Sequence, residues 1–537
     1  VEAGAASVMS AYNRVNGIWC GEHPWLLEGI LKRRWGFTGF VVTDFIFGVR
    51  DGVAALLAGQ DLEMPFRMVF EGVLEDALSD GRLPPARVDD AALRLLRAQL
   101  AVPVGEYPAS LRRHGAHLRL AREAATRAIV LLRNEGPVLP FSDLSSLAVV
   151  GRLAAQPNLG DRGSSDTRPP QGAAVTPLHG LRAAAPQLAI SHVASDDPAA
   201  AAAAAAACEA AVVVVGLDWR LEGEHIHPGD IAPILRQIPP PDMLQRPGLL
   251  SRIGRHRLRR AWRPVAEMIA WITAHASPRE GGDFASGDRT DLRLPPSQLA
   301  LIRAVAAVNP RTVVVLMGGG AVLMEEWRQA VPAVLMLWYP GEQGGHALAD
   351  VLLGRVSPSG RLPFSLPTSA AQLPPFEPRA LEVTYDLWHG YRRLGREGQR
   401  AAYPFGFGLS YSRFELSDPG AALPGELNGE ATVAVSVTLL NQGPMAAAEV
   451  VQVYLEPPGH GVERPPRTLV GFQRQQLAAG ERRRLQLTIP LRRLAFFDEA
   501  RDGFVIEPGE HRLVLARHVE DPGLVVAVPL QERWLGA

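Results

Sequence analysis

The chain has 537 residues, 47% of them hydrophobic, with 55 basic and 56 acidic side chains and a formal net charge of −1. At roughly 100–200 residues per domain this length predicts about three domains, and so balanced a charge gives no general electrostatic drive toward nucleic acid or an anionic membrane. The longest apolar runs, such as Val212 to Val215 and Val313 to Met317, fall far short of the roughly 20 residues of a membrane span, and the two cysteines, Cys20 and Cys208, are too few for a disulfide scaffold or a multi-Cys zinc site. Lys32 is the only lysine. Beside so much alanine, the arginine bias reads as a GC-rich genome rather than as anion recognition.

Residues 1–105 alternate short strands and helices. Ala6 to Tyr12 is a short apolar run ending at turn-prone Asn13 and Asn16-Gly17. A helix is expected from Leu26 to Trp35, a strand at Phe40 to Thr43, a helix at Val53 to Ala58, and a short strand at Gly59 to Pro65. That alternation predicts βα units with parallel strands. Arg82 to Leu100 reads as an amphipathic helix with Val88, Ala92, Leu95, Leu96 and Leu100 near helical spacing, and Ala101 to Ala109 reads as a linker.

The region 115–415 opens on a helix expected from Leu118 to Leu132. Buried-strand runs follow at Leu147–Val150, Ala211–Val215, Arg311–Met317 and Ala333–Leu337, separated by helical or glycine-rich sequence. A mostly parallel sheet covered on both faces is the natural architecture. The alanine run Ala199 to Ala207 is expected to be a helix packing on the next strand. Residues 226–286 form an insertion carrying one expected helix, Arg260 to Ala276. From 425 to 537 the pattern turns to alternation, as in Ala431–Leu440, Val450–Tyr454 and Leu485–Ile489. About seven short strands in roughly 110 residues predict a β-sandwich of immunoglobulin or fibronectin type.

Asp44 closes the run Phe40-Val41-Val42-Thr43-Asp44-Phe45 at the end of an expected parallel strand, the face on which barrel enzymes place their sites. A helix-capping role suits the same position equally well. Asp61 and Glu63 alternate in the next strand and read as structural or supporting groups. A second acidic cluster, Asp218-Trp219-Arg220-Leu221-Glu222-Gly223-Glu224-His225, follows the strand Val212–Val215, where open α/β sheets bind ligands. His225 and His227 beside Glu224 and Asp230 raise a metal site, but nothing fixes a third or fourth ligand, and no metal is expected. Neither Val149-Val150-Gly151 nor Val214-Val215-Gly216 continues as a dinucleotide or phosphate-binding glycine motif.

Together these segments resemble glycoside hydrolase family 3 along essentially the whole chain. The resemblance rests on Ser7 to Gly17, on Trp35 to Phe45 with Thr43-Asp44-Phe45 at the nucleophile position, and on Ala58 to Pro65. It continues through Leu132-Arg133-Asn134-Glu135, Gly160 to Ser165, Tyr339 to Gly345, Gly390-Tyr391-Arg392 and Tyr403 to Tyr411. In the tail, Val451-Gln452-Val453-Tyr454 and Leu469-Val470-Gly471-Phe472 are similar to the fibronectin-like domain of that family. The implied architecture is a multidomain α/β protein. It comprises the C-terminal portion of a (β/α)8 barrel (1–105), an α/β sandwich with a mostly parallel sheet (115–415), and a fibronectin type III-like β-sandwich (425–537).

The resemblance implies an exo-acting β-glucosidase, a retaining hydrolase that releases non-reducing-end β-D-glucose through a covalent glycosyl-aspartate. Such chemistry needs two carboxyl groups roughly 5–5.5 Å apart. Asp44 matches the nucleophile. The acid/base matches Glu224, with Glu222 and Glu280 as reserves, because the Asp-Arg pair of the family motif is displaced to Asp288-Arg289, beyond the insertion. Met9, Tyr12 and Trp219 are implied substrate contacts, and packing is an equally good role for Trp219. No cofactor enters the reaction. The partner is an oligosaccharide or β-glucoside, with no nucleic acid and no membrane; a homodimer is compatible. A β-xylosidase or β-N-acetylglucosaminidase of the same family, or a catalytically incomplete carbohydrate-binding chain, are the alternatives. A closed barrel typically takes about 250 residues where about 100 precede the linker, so an N-terminally truncated sequence is expected. Its location is then open between bacterial cytoplasm and periplasm or secretion.

Overall fold

The computed structural model describes residues 1–537 except 47, 66–68, 71–72, 103–104, 106, 137, 161–166, 168, 224–263, 265–288, 290, 378–379, 426–427, 460 and 537. The helix expected at 260–276 therefore lies outside the described residues, apart from Pro264. Two units emerge, one around Val1–Leu111 and the other around Arg112–Glu224 with Ser286–Ala537.

In the first unit the strand Ser7–Met9 pairs in parallel with Phe40–Val42, and Val42 bridges in parallel to Leu62. Three neighbouring parallel segments thus follow chain order, as βα units require. The connecting helix Trp25–Arg34 is wound as a π-helix and buries Leu27 and Leu31 against Phe37 and Val41. Asp51 caps the helix Gly52–Ala58 by accepting from the Val53 and Ala54 N–H groups, and Gly59 ends it at φ 110°, a conformation open to glycine.

The helix Pro85–Ala101 answers to the amphipathic helix expected at Arg82 to Leu100. Its apolar stripe is covered only at one end: Val88 packs on Leu56, Ala77 and Leu83, while Leu96 is 51% and Leu100 82% exposed. Its polar side docks as well. Arg94 donates to the carbonyls of Phe37 and Gly39 and Arg87 to that of Leu56. Both arginines pair with Asp90. Arg87 Nη2 also meets the fully buried Asp61 carboxylate at 2.5 Å.

The second unit holds a six-stranded sheet. Its order is Val130–Asn134, Ala333–Met336, Thr312–Met317, Ala210–Gly216, Ser146–Val150 and Ala189–Val193. Only the first of these pairs antiparallel. Pro177–Ala184 and Gly344–Leu352 cover one face, while the alanine-built Pro198–Ala206 and Pro296–Val308 cover the other. The helix expected through Leu132 stops at Ala128. Val130–Asn134 is an edge strand because β-branched Ile129 and Val130 and the leucines after them bury on the sheet.

The same unit carries a β-sandwich whose two main sheets hold three and four strands, seven in all. They pack Val433, Val435 and Val437 against Val451, Val453 and Leu513. A buried ion pair between Arg361 and Glu449 joins the sandwich to the α/β layer, beside the Gln452 amide donating to the Gly406 carbonyl.

Candidate active site

Asp44 follows the strand Phe40–Val42 by two residues and is half-buried. Thr43 zips this strand end to the next segment: its N–H donates to the Leu62 carbonyl and its hydroxyl accepts the Met64 N–H at 2.8 Å. The Asp44 Oδ1 accepts the Phe45 N–H at 2.7 Å, which orients the carboxylate at the loop apex. Beneath it sits Gly48, where a Cβ would lie 2.6 Å from the Asp44 nitrogen and 2.7 Å from its carbonyl oxygen. Gly21 abuts Gly48 in turn, a Cβ there falling 2.0 Å from the Gly48 carbonyl oxygen. Ile46 holds φ 66°, a strained value for a β-branched residue. The Tyr12 hydroxyl donates to the Phe45 carbonyl at 2.8 Å, and the Glu22 carboxylate accepts the Arg50 and Asp51 N–H groups.

Met9 pairs in register with Val42, so Met9, Tyr12 and Asp44 gather at the carboxyl end of the parallel strands, with Met9 and Tyr12 exposed. Asp61 and Glu63 serve the scaffold. Asp61 accepts Lys32 Nζ at 2.7 Å and the Val41 N–H at 2.8 Å, while Glu63 accepts the Val69 and Phe70 N–H groups. The sole lysine is therefore a buried ion-pair partner. Burial pushes its ammonium below the ordinary value, against the opposing pull of Asp61.

In the second unit the chain leaves the strand Ala210–Gly216 at Gly216, whose φ of 138° accompanies a Cβ position 1.9 Å from the Met317 carbonyl oxygen. Asp218 comes next and is buried. Burial pushes its carboxyl up, but Arg152 at 2.8 Å and Arg220 at 2.9 Å outweigh this and hold it below the usual carboxylate range. Trp219 is 8% exposed, with the Arg220 guanidinium 4.5 Å over its ring. Those contacts suit packing, one of the two roles expected of Trp219.

Glu222 accepts three donors: the Gly319 N–H at 2.7 Å, the Tyr339 hydroxyl at 2.8 Å and Arg289 Nη1 at 3.2 Å. Glu224 and Glu280 lie outside the described residues, as do His225, His227, Asp230 and Gly160–Ser165 from Asp161 onward. Among the described residues no group of three or more His, Cys, Asp or Glu side chains is placed to hold a metal, and no helix is long and apolar enough to cross a membrane.

Sequence reasoning passed over Glu22, Gly48 and Ile46, whose roles depend on backbone approach and have no pattern signal. It passed over Arg152 as well. Arg289 and Tyr339 were visible within quoted motifs, but their meeting at Glu222 was not.

Comparison with known proteins places these features. Residues 1–98 match the family model of the glycosyl hydrolase family 3 N-terminal domain. Residues 129–411 match that of the glycosyl hydrolase family 3 C-terminal domain, and 449–519 a fibronectin type III-like domain. Thermostable beta-glucosidase B of Acetivibrio thermocellus is 31% identical, over 96% of this chain and 62% of its own length. An exo-alpha-(1->6)-L-arabinopyranosidase of Bifidobacterium longum is 29% identical, over 98% and 63%. The crystal structure of a Bifidobacterium adolescentis GH3 beta-glucosidase superimposes with a TM-score of 0.78 at 27% identity, over 99% of this chain and 70% of that one. The chain thus spans somewhat under two thirds of the length of these two curated relatives. With models of that family matched at both ends of the α/β region and a fibronectin type III-like tail behind them, the chain belongs to glycosyl hydrolase family 3.

Proposed function

We propose that this chain carries the chemistry of a retaining exo-β-glucosidase with Asp44 as nucleophile. The observation that carries the reading is Asp44 itself, a half-buried carboxylate at the end of a parallel strand with its loop held by Thr43, Gly48 and Tyr12. Ionised Asp44 attacks the anomeric carbon while a glutamic acid protonates the departing glycosidic oxygen. Water, deprotonated by the same glutamate, then displaces the aspartate and frees the sugar. A group that gives and regains a proton needs an oxygen open to the substrate. Three donors already occupy Glu222, which supports Glu224 as the acid/base. Met9 and Tyr12, exposed beside Asp44, suit substrate contact.

The beta-glucosidase relative supports a glucoside substrate. The arabinopyranosidase relative, of similar identity, makes the glycone the point to test. Purified chain should hydrolyse aryl β-D-glucosides, with aryl α-L-arabinopyranosides and β-D-xylosides as comparison substrates. Asp44→Ala is expected to lose about 10³-fold or more in kcat, and azide should rescue Glu224→Ala but neither Glu222→Ala nor Glu280→Ala. Normal turnover by Asp44→Ala would refute the nucleophile. Sugar binding without turnover would assign the chain to the carbohydrate-binding reading instead.

A further inference from the structure

Glu222 and Arg289 stand 67 positions apart in sequence and in direct contact. The chain departs the strand Ala210–Gly216 shortly before Glu222 and returns at Arg289, ahead of the helix Pro296–Val308. The pair is largely buried, with side chains 17% and 11% exposed.

The other Glu222 oxygen collects the Gly319 N–H and the Tyr339 hydroxyl. These residues follow the strands Thr312–Met317 and Ala333–Met336. A single carboxylate therefore ties together the ends of three adjacent strands. The glycine turn leaves it no slack: a Cβ on Gly320 would lie 2.9 Å from Glu222 Oε1 and 3.3 Å from Arg289 Nη1, and one on Gly319 would lie 3.0 Å from the Tyr339 ring.

An exposed ion pair of this kind contributes little. A partly buried one with every oxygen hydrogen-bonded fixes geometry, and here it joins two positions 67 residues apart in sequence. We propose that Glu222, Arg289 and Tyr339 are positioning residues. In this role they clasp the backbone two residues before Glu224 to the sheet, and Glu222 itself transfers no proton. The clasp rests on the assignment of Glu224 made above. Its importance would follow from how steeply catalysis falls with misplacement, about 100-fold for 1 Å.

Hydrogen exchange over residues 317–322 of the full chain, followed with aryl β-glucoside kinetics, tests it. Glu222→Ala should speed exchange at Gly319 about tenfold, the worth of one hydrogen bond. Glu222→Gln, which keeps an acceptor there, should restore most of the protection. Tyr339→Phe removes one donor only, and should speed exchange less, should the alanine variant fail to fold.

In turnover, Glu222→Gln should keep kcat within about threefold with an unchanged pH profile, whereas Glu224→Gln should lose about 10²–10⁴-fold and its acidic-group pH limb. Arg289→Met should lower kcat with KM little changed. Unchanged exchange in Glu222→Ala overturns the clasp. So does a Glu222→Gln variant that loses kcat and the pH limb as Glu224→Gln should. Normal kcat in Glu224→Gln refutes the acid/base assignment instead, and then, as with a chain that shows no turnover, the exchange result alone decides whether the clasp exists.

Discussion

Asp61 shows how much one carboxylate can organise. Lys32, Arg87 and the Val41 N–H all converge on it in a fully buried position. Removing it leaves the buried Lys32 with only Asp90, 4.0 Å away, and Arg87 sharing that same carboxylate, so Asp61→Ala should cost the first unit about 3–5 kcal/mol, read as a lower unfolding midpoint. Asp218 makes a pH prediction. Its folded carboxyl is held below the ordinary range because the two arginines outweigh burial. The unfolded carboxyl titrates near about 3.9, so the stabilisation is complete above that pH and is lost as pH falls through the lower folded value. The difference in midpoint between the native chain and Asp218→Asn should therefore hold steady from about pH 7 to 5 and shrink below about pH 4. From the sequence, the position of Asp44 at a strand end and the supporting nature of Asp61 were legible, since strand ends and alternation mark them. The partners of Asp61 were not, because they come from two helices, one before and one well after it in the chain.

Among the elements, legibility followed burial. The four central strands of the α/β sheet were readable because their runs bury on both faces and stay apolar throughout, as Val212–Val215 does. Edge strands were harder. Ala189–Val193 is partly exposed and mixes Ser191 and His192 into its length, and Val130–Asn134 directly continues a helical pattern. On Pro85–Ala101 periodicity located the helix but not all of its docking, because arginine–carbonyl bonds and ion pairs add to the packing of Val88 and periodicity scores only apolar faces. Two glycines carry packing that no pattern reveals. A Cβ on Gly345 would lie 2.0 Å from the Thr176 carbonyl oxygen, and one on Gly180 1.9 Å from that of Gly345. Gly345→Ala should thus pry the two covering helices apart and destabilise by about 1–3 kcal/mol. Gly48→Ala presses on the Asp44 backbone instead, and should reduce kcat about 100-fold while moving the unfolding midpoint far less.

For the molecule as a whole, the junction between the α/β layer and the β-sandwich is built like an interior. Arg361 and Glu449 are both largely buried, Gln452 reaches across to the Gly406 carbonyl, and Tyr391 stacks on Phe405 at 4.7 Å. Glu449→Ala leaves Arg361 buried and unpaired, and should cost about 3–5 kcal/mol and split a single calorimetric transition of this unit into two. The order of domains was legible from the shift of apolar period along the chain. Nothing in the sequence indicated that the junction between the last two would be an ion pair.

Lys32 has a further consequence for how this protein meets reagents. Its ammonium is the only one on any side chain, and it is 2% exposed and bound to Asp61. Amine-directed acylating or cross-linking agents therefore find no side chain to react with while the first unit is closed. Modification of Lys32 should proceed only through opening of that unit, at a rate set by the opening equilibrium. Mass-resolved acylation of Lys32 would make the residue a built-in clock for the stability of the unit that carries Asp44, running faster in Asp61→Ala and unchanged in Glu449→Ala.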